Sequence, residues 1–327
     1  MKSNVRLWLL ALLLTLGLVA CGTTTDEPEA PADDQGTDVV EEEAGGEFPR
    51  TITDSLGNEV TIEEEPERVV SLIPSITETL FAIDKGDTVV GRTDFDNYPE
   101  EVQDIQSVGG MEFDVEQVLA LEPDLVLSHG SGAHSSEGGL NQLREAGVTV
   151  VVVHDASSID EVYDSIAMIG EATGADEQAA TVISDMKEGF AALAEKAEAI
   201  TDEERANVWV EVSPEPEIYT TGKGTFLDEM LTLINADNAA GDVEGWVQFS
   251  EEEAVAFQPD VIITTYGYYV EDPEKQVMAR DGWQSVPAVE NERVYDVHSD
   301  EVTRSGPRLV QGAEKLAELI YPDVFAE

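Results

Sequence analysis

One segment of sixteen residues occurs twice in this chain, and this repeat constrains the fold more than any other feature. Residues 113–128 are FDVEQVLALEPDLVLS and residues 249–264 are FSEEEAVAFQPDVIIT, so five positions are identical and most others keep their polarity. Each copy predicts a short helix, a Pro-Asp turn and a buried strand. A unit repeated once is too sparse for a solenoid. We therefore predict two similar lobes, and clefts between lobes are common places for small ligands.

The pattern around the repeat predicts the α/β class. Continuous apolar runs, as at 68–73 and 125–128, are typical of strands that helices cover on both faces. Segments of helical period separate these runs, and this alternation favours mostly parallel sheets. Residues 51–62 alternate around a Gly-Asn turn and predict an edge hairpin. Pro74 begins a predicted helix, for which Ser75 is a suitable N-cap.

One long helical pattern separates the predicted lobes. Between 176 and 200, apolar residues recur at the spacing of an amphipathic helix, which at 1.5 Å per residue would be about 36 Å long. That length is enough to connect one lobe with the other. We therefore predict an N-terminal α/β lobe at 48–175, an interlobe helix at 176–200, a C-terminal α/β lobe at 201–327, and a ligand cleft between the lobes.

The N-terminus predicts export and a lipid anchor. Residues 1–20 combine a basic start with an apolar run of 14 residues, which is too short for a transmembrane helix and typical of a signal peptide. The run ends in Leu-Val-Ala-Cys-Gly, which resembles the lipobox of bacterial lipoproteins and implies lipidation of Cys21. Residues 21–47 are strongly acidic and predict a disordered tether at the extracytoplasmic face of the cell membrane. The alternative is an ordinary signal peptide followed by a chance cysteine.

The net charge of −53 limits the possible partners. It excludes the basic surface that nucleic-acid binding requires, and it argues against docking on anionic lipid through surface charge. Such a surface stays hydrated in high salt or at high pH, which is one interpretation of this composition. The other interpretation is a secreted protein that is simply acidic.

Several motifs of the folded part resemble one known family. They are PERVVSLIPSITET at 66–79, the segment 91–99, both Pro-Asp turns of the repeat, YTTGK at 219–223, WVQFS at 246–250 and RSGPR at 304–308. Together they resemble the class III solute-binding proteins of ABC importers, which carry vitamin B12, ferric siderophores or haem. The similarity is greatest to the vitamin B12-binding branch and to Gram-positive lipoproteins for cobalamin or iron.

The resemblance implies a binding protein and not an enzyme. It implies two lobes joined by one long helix, a monomer that delivers its ligand to an ABC permease dimer with ATPase subunits, and no catalytic residue or resident cofactor. Cobalamin ranks first as the ligand, followed by haem and a ferric siderophore. The chain departs from the B12-binding branch near Gly110 and at His129, where that branch has tryptophans.

The candidate ligand contacts lie on loops that follow strands, where open α/β sheets bind ligands. Aromatic side chains offer rigid faces to a flat macrocycle, although each could equally be core packing. From position and resemblance together, the candidates are Phe95, His129, Tyr219, Trp246, Tyr266, Asp300 and Arg304. His129 and His134 could coordinate a chelated metal, and the alternative is two solvated loop histidines. The nearby cations are few, namely Arg92, Lys223, Arg280 and Arg304, so strongly anionic ligands are the least favoured.

Glu116 and Glu252 occupy matching places in the two copies of the repeat. Asp114 and Ser250 are suitable N-caps, and Gln117 and Glu253 would complete capping boxes. Glutamates in a first helical turn stabilise the helix dipole, which is the simpler explanation for both. The resemblance implies instead that each of these two glutamates, one on each lobe, pairs with permease arginines.

Two other functions remain as alternatives. A free zinc or manganese carrier needs three or four converging histidine and carboxylate ligands. A surface hydrolase needs a nucleophile motif, and the chain has neither a Gly-x-Ser-x-Gly elbow nor a P-loop.

Overall fold

The computed structural model describes residues 47–325, which form two α/β lobes with separate sheets and one long helix between them. The predicted fold class is confirmed. The predicted signal peptide, Cys21 and nearly all of the acidic tether lie outside the described residues. No helix among the described residues is long and apolar enough to cross a membrane.

The N-terminal lobe is built on a sheet of four parallel strands. Its strands are β1 (Arg50–Thr53), β2 (Glu59–Ile62), β3 (Val69–Ser71), β4 (Val89–Gly91), β5 (Leu125–His129) and β6 (Thr149–Val153). Its helices are α1 (Pro74–Ala82), α2 (Val115–Ala120), α3 (Gly130–Ala133), α4 (Glu137–Glu145) and α5 (Ile159–Thr173). The order in the main sheet is β4-β3-β5-β6, and β1 and β2 form the predicted hairpin beside it.

Pro74 is the first residue of α1, as predicted, but Ser75 is not its cap. The N-cap is Ile73, which makes no side-chain capping bond, and Ser75 lies buried inside the first turn. The prediction for Ser75 was therefore wrong. The fixed φ of proline suits the first helical position, so this helix can begin without a polar cap.

The C-terminal lobe has a mixed sheet. Its strands are β7 (Asn207–Ser213), β8 (Ile218–Thr221), β9 (Asp237–Asn238), β10 (Trp246–Phe249), β11 (Val261–Thr264) and β12 (Val294–Asp296). Its helices are α7 (Phe226–Leu233), α8 (Glu251–Ala256), α9 (Pro273–Met278), α10 (Pro287–Glu290), α11 (Ser299–Val302), α12 (Leu309–Ile320) and α13 (Pro322–Phe325). The strand order is β10-β8-β7-β11-β12, in which β8 and β10 are antiparallel to their neighbours and form one edge.

The interlobe helix α6 spans Asp176–Ala197 and would be about 33 Å long. It packs against α1 and α5 of the first lobe and against α7, α12 and α13 of the second. Its predicted apolar stripe faces inward, since Met186, Phe190 and Leu193 are all buried. A single apolar cluster includes this stripe together with residues of both sheets, so the lobes share a continuous core.

The two copies of the repeat adopt the same local structure. The helix ends, a residue with positive φ follows (Glu122 at 48°, Gln258 at 47°), and the Pro-Asp turn leads into a central strand. The Asp124 carboxylate accepts the backbone N–H of Arg68, and that of Asp260 accepts the backbone N–H of Asn207. In each lobe the aspartate therefore fixes the chain at the start of the neighbouring parallel strand, which explains why both copies keep it.

Candidate ligand-binding cleft

A cavity of about 260 Å³ lies between the two lobes. His129 and Asp155 line it from the N-terminal lobe, and Phe226, Trp246 and Arg304 line it from the C-terminal lobe. Two larger cavities, of about 700 and 510 Å³, are lined by residues of the N-terminal lobe alone, and a third, of about 490 Å³, is lined by both lobes, with Glu78, Tyr98 and Arg308 among its residues. We treat the 260 Å³ cavity as the candidate site and call it the interlobe cavity, because it lies beyond the carboxyl ends of β5 and β6, where sheets of this type bind ligands.

His129 reaches this cavity as the last residue of β5 and is almost fully buried. Its Nδ1 accepts the backbone N–H of Ser131 and lies 2.8 Å from the Ser131 hydroxyl. Burial lowers the pKa of His129, and the nearby carboxylate of Asp155 opposes this shift only in part. The ring is therefore mostly neutral near pH 7, and while Nδ1 accepts from Ser131 its proton is on Nε2.

The position of the ring proton affects whether His129 can coordinate a metal. Because Nδ1 already accepts a hydrogen bond, the neutral ring presents an N–H at Nε2 and not a free lone pair. His129 is thus better suited to donate a hydrogen bond than to bind a metal axially. His134 is exposed and lines the largest cavity of the N-terminal lobe, not the cleft.

Trp246 and Tyr219 lie on the paired strands β10 and β8 of the C-terminal lobe, and Trp246 lines the cavity. Trp246 begins β10, is 45% exposed, and meets the Phe226 ring edge-on at 6.1 Å. Tyr219 lies on β8 opposite Gln248, two residues from Trp246 along the partner strand. Since opposed residues, and residues two apart, share one face of a ribbon, both rings project from the same face. They are exposed although apolar, as a binding surface requires.

Phe95 lies in the loop after β4 and is 51% exposed. A buried carboxylate, Asp96, holds this loop by accepting the backbone N–H and the hydroxyl of Thr93. The carbonyl oxygen of Phe95 accepts a 3.1 Å hydrogen bond from Arg304, so this loop of the first lobe contacts the second lobe directly.

Arg304 belongs to a polar cluster that joins the lobes. Its guanidinium donates to Glu78 of α1 at 2.7 Å and to the Asn97 side chain at 2.9 Å, and lies 2.9 Å from Asp300. Glu78 is 3% exposed and also accepts two bonds from Arg308, each of 2.8 Å. Asp300 in turn accepts a bond from Asn97. The side chains of Arg304 and Asp300 therefore already have hydrogen-bond and ion-pair partners within the protein.

Glu78 and Asn97 are functional candidates that the sequence analysis missed. The available signal was that Glu78 is the one charged residue of α1, and a carboxylate needs a partner when it is buried. Nothing in the sequence near Glu78 supplies that partner.

Tyr266 is not part of the cleft surface, and the structure corrects its predicted role. Its side chain is 1% exposed, and its hydroxyl donates to Glu211 at 2.6 Å. Arg280 binds both oxygens of the same carboxylate, at 2.6 and 2.9 Å. Burial, followed by the charge of Glu211, raises the pKa of Tyr266 well above its ordinary value. Tyr268 and Tyr269, two and three residues later, are the exposed aromatics of this loop, and Tyr268 lies 5.8 Å from the His298 ring.

The matched glutamates Glu116 and Glu252 are exposed in the first turns of α2 and α8. No ion pair among the described residues uses either carboxylate. Ser250 and Glu253 form the expected capping box. Asp114 caps α2, but the Gln117 side chain bonds the Asp114 carboxylate instead of its backbone N–H. Neighbouring residues therefore cap both helices, and the carboxylates of Glu116 and Glu252 have no partner within residues 47–325.

No group of three or more His, Cys, Asp or Glu side chains within residues 47–325 could hold a metal ion. The zinc or manganese alternative gains no support from this part of the chain.

Two lobes that share a long helix and enclose a cavity are the architecture of a solute-binding protein. A family model described as a periplasmic binding protein matches residues 69–301, and the chain belongs to this family. The family inferred from the sequence motifs is therefore confirmed. Members of this class that serve ABC transporters bind solutes and work with a membrane permease and its ATPase.

The relatives agree with this assignment. The chain is 47% identical, over the full length of both proteins, to YvrC of Bacillus subtilis (strain 168), an uncharacterized ABC transporter substrate-binding lipoprotein. It is 30% identical over 316 residues to a cobalamin-binding protein of Halobacterium salinarum, covering 94% of this chain and 84% of that relative. The structure of a possible iron-binding, periplasmic solute-binding protein of Staphylococcus epidermidis matches with a TM-score of 0.71 and 35% identity, covering 79% of this chain and all of that one.

Proposed function

We propose that this chain is the lipid-anchored, extracytoplasmic solute-binding component of an ABC importer, and that it captures cobalamin or a related metal chelate. Haem and a ferric siderophore are the next candidates. The observation that carries the proposal is the interlobe cavity, where His129 of one lobe lies across from Trp246 of the other. The names of the relatives from Halobacterium and Staphylococcus support a metal chelate as the ligand. Cys21 would carry the anchor.

The size of the cavity indicates how such a ligand would bind. At about 260 Å³ it falls just below the ~300–1,000 Å³ of typical ligand pockets. A corrin or porphyrin would therefore extend beyond the cavity towards the exposed rings of Phe95 and Tyr219. Stacking on such rings contributes about 0.5–1.5 kcal/mol for each aromatic pair beyond simple area burial.

Tryptophan fluorescence tests the ligand class. Of the tryptophans in the described residues, Trp246 is exposed at the cleft, whereas Trp209 and Trp283 are fully buried. Titration with cyanocobalamin, haemin and ferric chelates should quench the emission, and Trp246→Phe should remove most of that quenching. Because Trp246→Phe keeps an aromatic ring at this position, a loss of quenching would report the missing indole and not a loss of packing. Binding of none of these chelates, together with binding of Zn²⁺ or Mn²⁺, would replace the proposal with the metal-ion carrier.

Glu116 and Glu252 are the proposed contacts with the permease. Both are exposed, both lie in first turns, and neither caps its helix. The double variant E116R/E252R should keep its affinity for ligand and lose uptake in cells. E137R/E177R is the matched control, because Glu137 and Glu177 are also exposed first-turn glutamates, on α4 and α6. Equal uptake by the two double variants would exclude the proposed docking role.

A further inference from the structure

We propose that Glu78 sets the charge selectivity of the cleft. By binding Arg304 and Arg308, this buried carboxylate makes the site prefer chelates whose rim carries amides or other uncharged groups over chelates rimmed with carboxylates, which ranks cobalamin above haem. The inference rests on the proposed function, since it concerns the ligand of the same cavity.

Glu78 is a buried carboxylate shared by two arginines of the opposite lobe. Its Oε1 accepts from Arg304 Nη1 at 2.7 Å and from Arg308 Nη2 at 2.8 Å, and its Oε2 accepts from Arg308 Nε at 2.8 Å. The Arg308 guanidinium also lies over the Tyr98 ring, 4.2 Å from its centre. A buried charge must be paired and hydrogen-bonded, and the Glu78 carboxylate and the two guanidinium groups provide both for one another.

Arg304 lines the cavity but keeps few donors for a ligand. Nη1 donates to Glu78 and Asn97, while Nη2 donates to the Phe95 carbonyl and lies 2.9 Å from Asp300. A guanidinium has five N–H donors, of which three make hydrogen bonds here, and the ion pair with Asp300 engages Nη2 as well. An anionic ligand would have to break contacts inside the protein to bind this arginine.

The other basic residues that the sequence analysis placed near the ligand also make hydrogen bonds or ion pairs within the protein. Arg92 donates to the Val102 and Thr93 carbonyls, Lys223 pairs with Glu244 at 3.1 Å, and Arg280 is held by Glu211. The basic residues that the sequence analysis placed near the ligand therefore all have partners within the protein.

Negative charge in the cleft adds to this effect. Asp155 lines the cavity opposite Arg304, and its neighbour His129 is neutral. Glu78 and Asp300 balance Arg304, which lines the cavity, and Arg308, which does not, so this cluster presents no net positive charge to a ligand. With a net charge of −53 on the chain, the longer-range field also repels anions. The cleft thus favours an uncharged or cationic chelate.

Matched pairs of ligands test the inference with the full-length chain. Each pair keeps one macrocycle and changes only its rim: cobyrinic acid against its heptaamide, and haem against its diamide. The wild type should bind each amide form at least about ten-fold more tightly than the carboxylate form, a ratio equivalent to ~1.4 kcal/mol. E78Q leaves Arg304 and Arg308 without their carboxylate, so the ratio should fall several-fold, and fall further at low salt.

Two further variants control for loss of structure. Glu229 also joins the lobes, since its carboxylate accepts the Ile159 backbone N–H at 2.7 Å, but it touches no arginine among the described residues. E229Q should therefore keep the wild-type ratio. R304M leaves Glu78 paired with Arg308 and makes the cleft more negative, so its ratio should rise; it tests the inference even where E78Q does not fold.

Equal binding of amide and carboxylate forms by the wild type would overturn this inference and leave the proposed function standing. An equal change of the ratio in E78Q and E229Q would do the same. Binding of neither form of either macrocycle would overturn this inference and remove cobalamin and haem as ligands; absence of ferric-chelate binding as well would overturn the proposed function.

Discussion

Asp96 illustrates how one side chain links the aromatic loop to the interior of the protein. It is buried next to Phe95 in sequence, and one of its carboxylate oxygens accepts the Thr93 backbone N–H at 3.0 Å. Burial raises the pKa of Asp96 above its ordinary value of 3.8, and hydrogen bonds from Thr77 and Thr93 offset part of that rise. The loop that carries Phe95 is therefore held by a carboxylate whose ionised form is disfavoured.

The raised pKa of Asp96 predicts a specific pH dependence. Between 3.8 and the higher folded-state pKa, the folded protein binds this proton more tightly than the unfolded chain, so the contribution of Asp96 to stability falls as pH rises through that window. Asp96→Asn removes the titration. The free energy of unfolding of D96N relative to wild type, measured with urea from pH 3 to 7, should therefore rise with pH.

Asp114 provides a control of opposite sign. Hydrogen bonds from Gln117 lower the pKa of this exposed N-cap, so its contribution to stability is present above pH 3.8 and is lost as pH falls through the folded-state pKa. The free energy of unfolding of D114N relative to wild type should therefore fall as pH rises. Slopes of the same sign for D96N and D114N would contradict the assignment of the two pKa shifts.

At the scale of elements, the apolar stripe of α6 was predictable because it repeats with the helical period. The distance between α6 and the neighbouring helices was not predictable, because it depends on small residues where the helices touch. Gly170 of α5 faces Ala179 of α6, and a Cβ added at Gly170 would lie 2.5 Å from the Ala179 Cβ. An alanine methyl cannot rotate away, so one helix backbone would have to move.

Gly170→Ala should therefore destabilise the protein although alanine favours helix. Overpacking of this kind costs about 1–3 kcal/mol, against about 1 kcal/mol gained in helix propensity. Gly138 of α4 is the matched control, because it is exposed and a Cβ there would meet nothing within 4 Å. Urea unfolding should show G170A below wild type and G138A equal to it or above. A stabilised G170A would show that the helices separate at no cost.

For the whole molecule, charge is the dominant property. The chain has 70 acidic and 17 basic residues, so most carboxylates have no basic side chain to pair with. Several of the basic residues are already committed to the cluster around Glu78 and to Glu211. Repulsion among the remaining carboxylates opposes the compact state, and salt screens it over distances of about 10 Å at 0.1 M.

Added salt should consequently stabilise the folded protein. Raising NaCl from 0.05 to 1 M should increase the melting temperature by roughly 4 °C or more, since one kcal/mol corresponds to about 2–4 °C in a chain of this size class. Calorimetry in sucrose at matched osmolality separates charge screening from general exclusion of solute. A melting temperature that is unchanged or lowered by NaCl would contradict the dominance of carboxylate repulsion.

The sequence by itself determined the features that rest on local interactions. The duplicated helix, Pro-Asp turn and strand predicted two lobes, because the same residues form the same local elements in both copies, α2 followed by β5 and α8 followed by β11. It also indicated that His129 lies where a strand ends, and such positions gather at one edge of a parallel sheet. It did not indicate that Trp246 begins a strand, β10.

Only the tertiary structure decided which buried polar and charged side chains pair. Arg304 meets Glu78 across 226 positions of sequence, and Tyr266 meets Glu211 across 55, so neither partner could be inferred from nearby residues. The contact with Glu78 gives Arg304, an expected ligand residue, a partner within the protein. The contact with Glu211 keeps Tyr266, another expected ligand residue, away from the cleft surface. The reason is that a buried polar group takes whichever partner the packing of distant elements brings within hydrogen-bond distance.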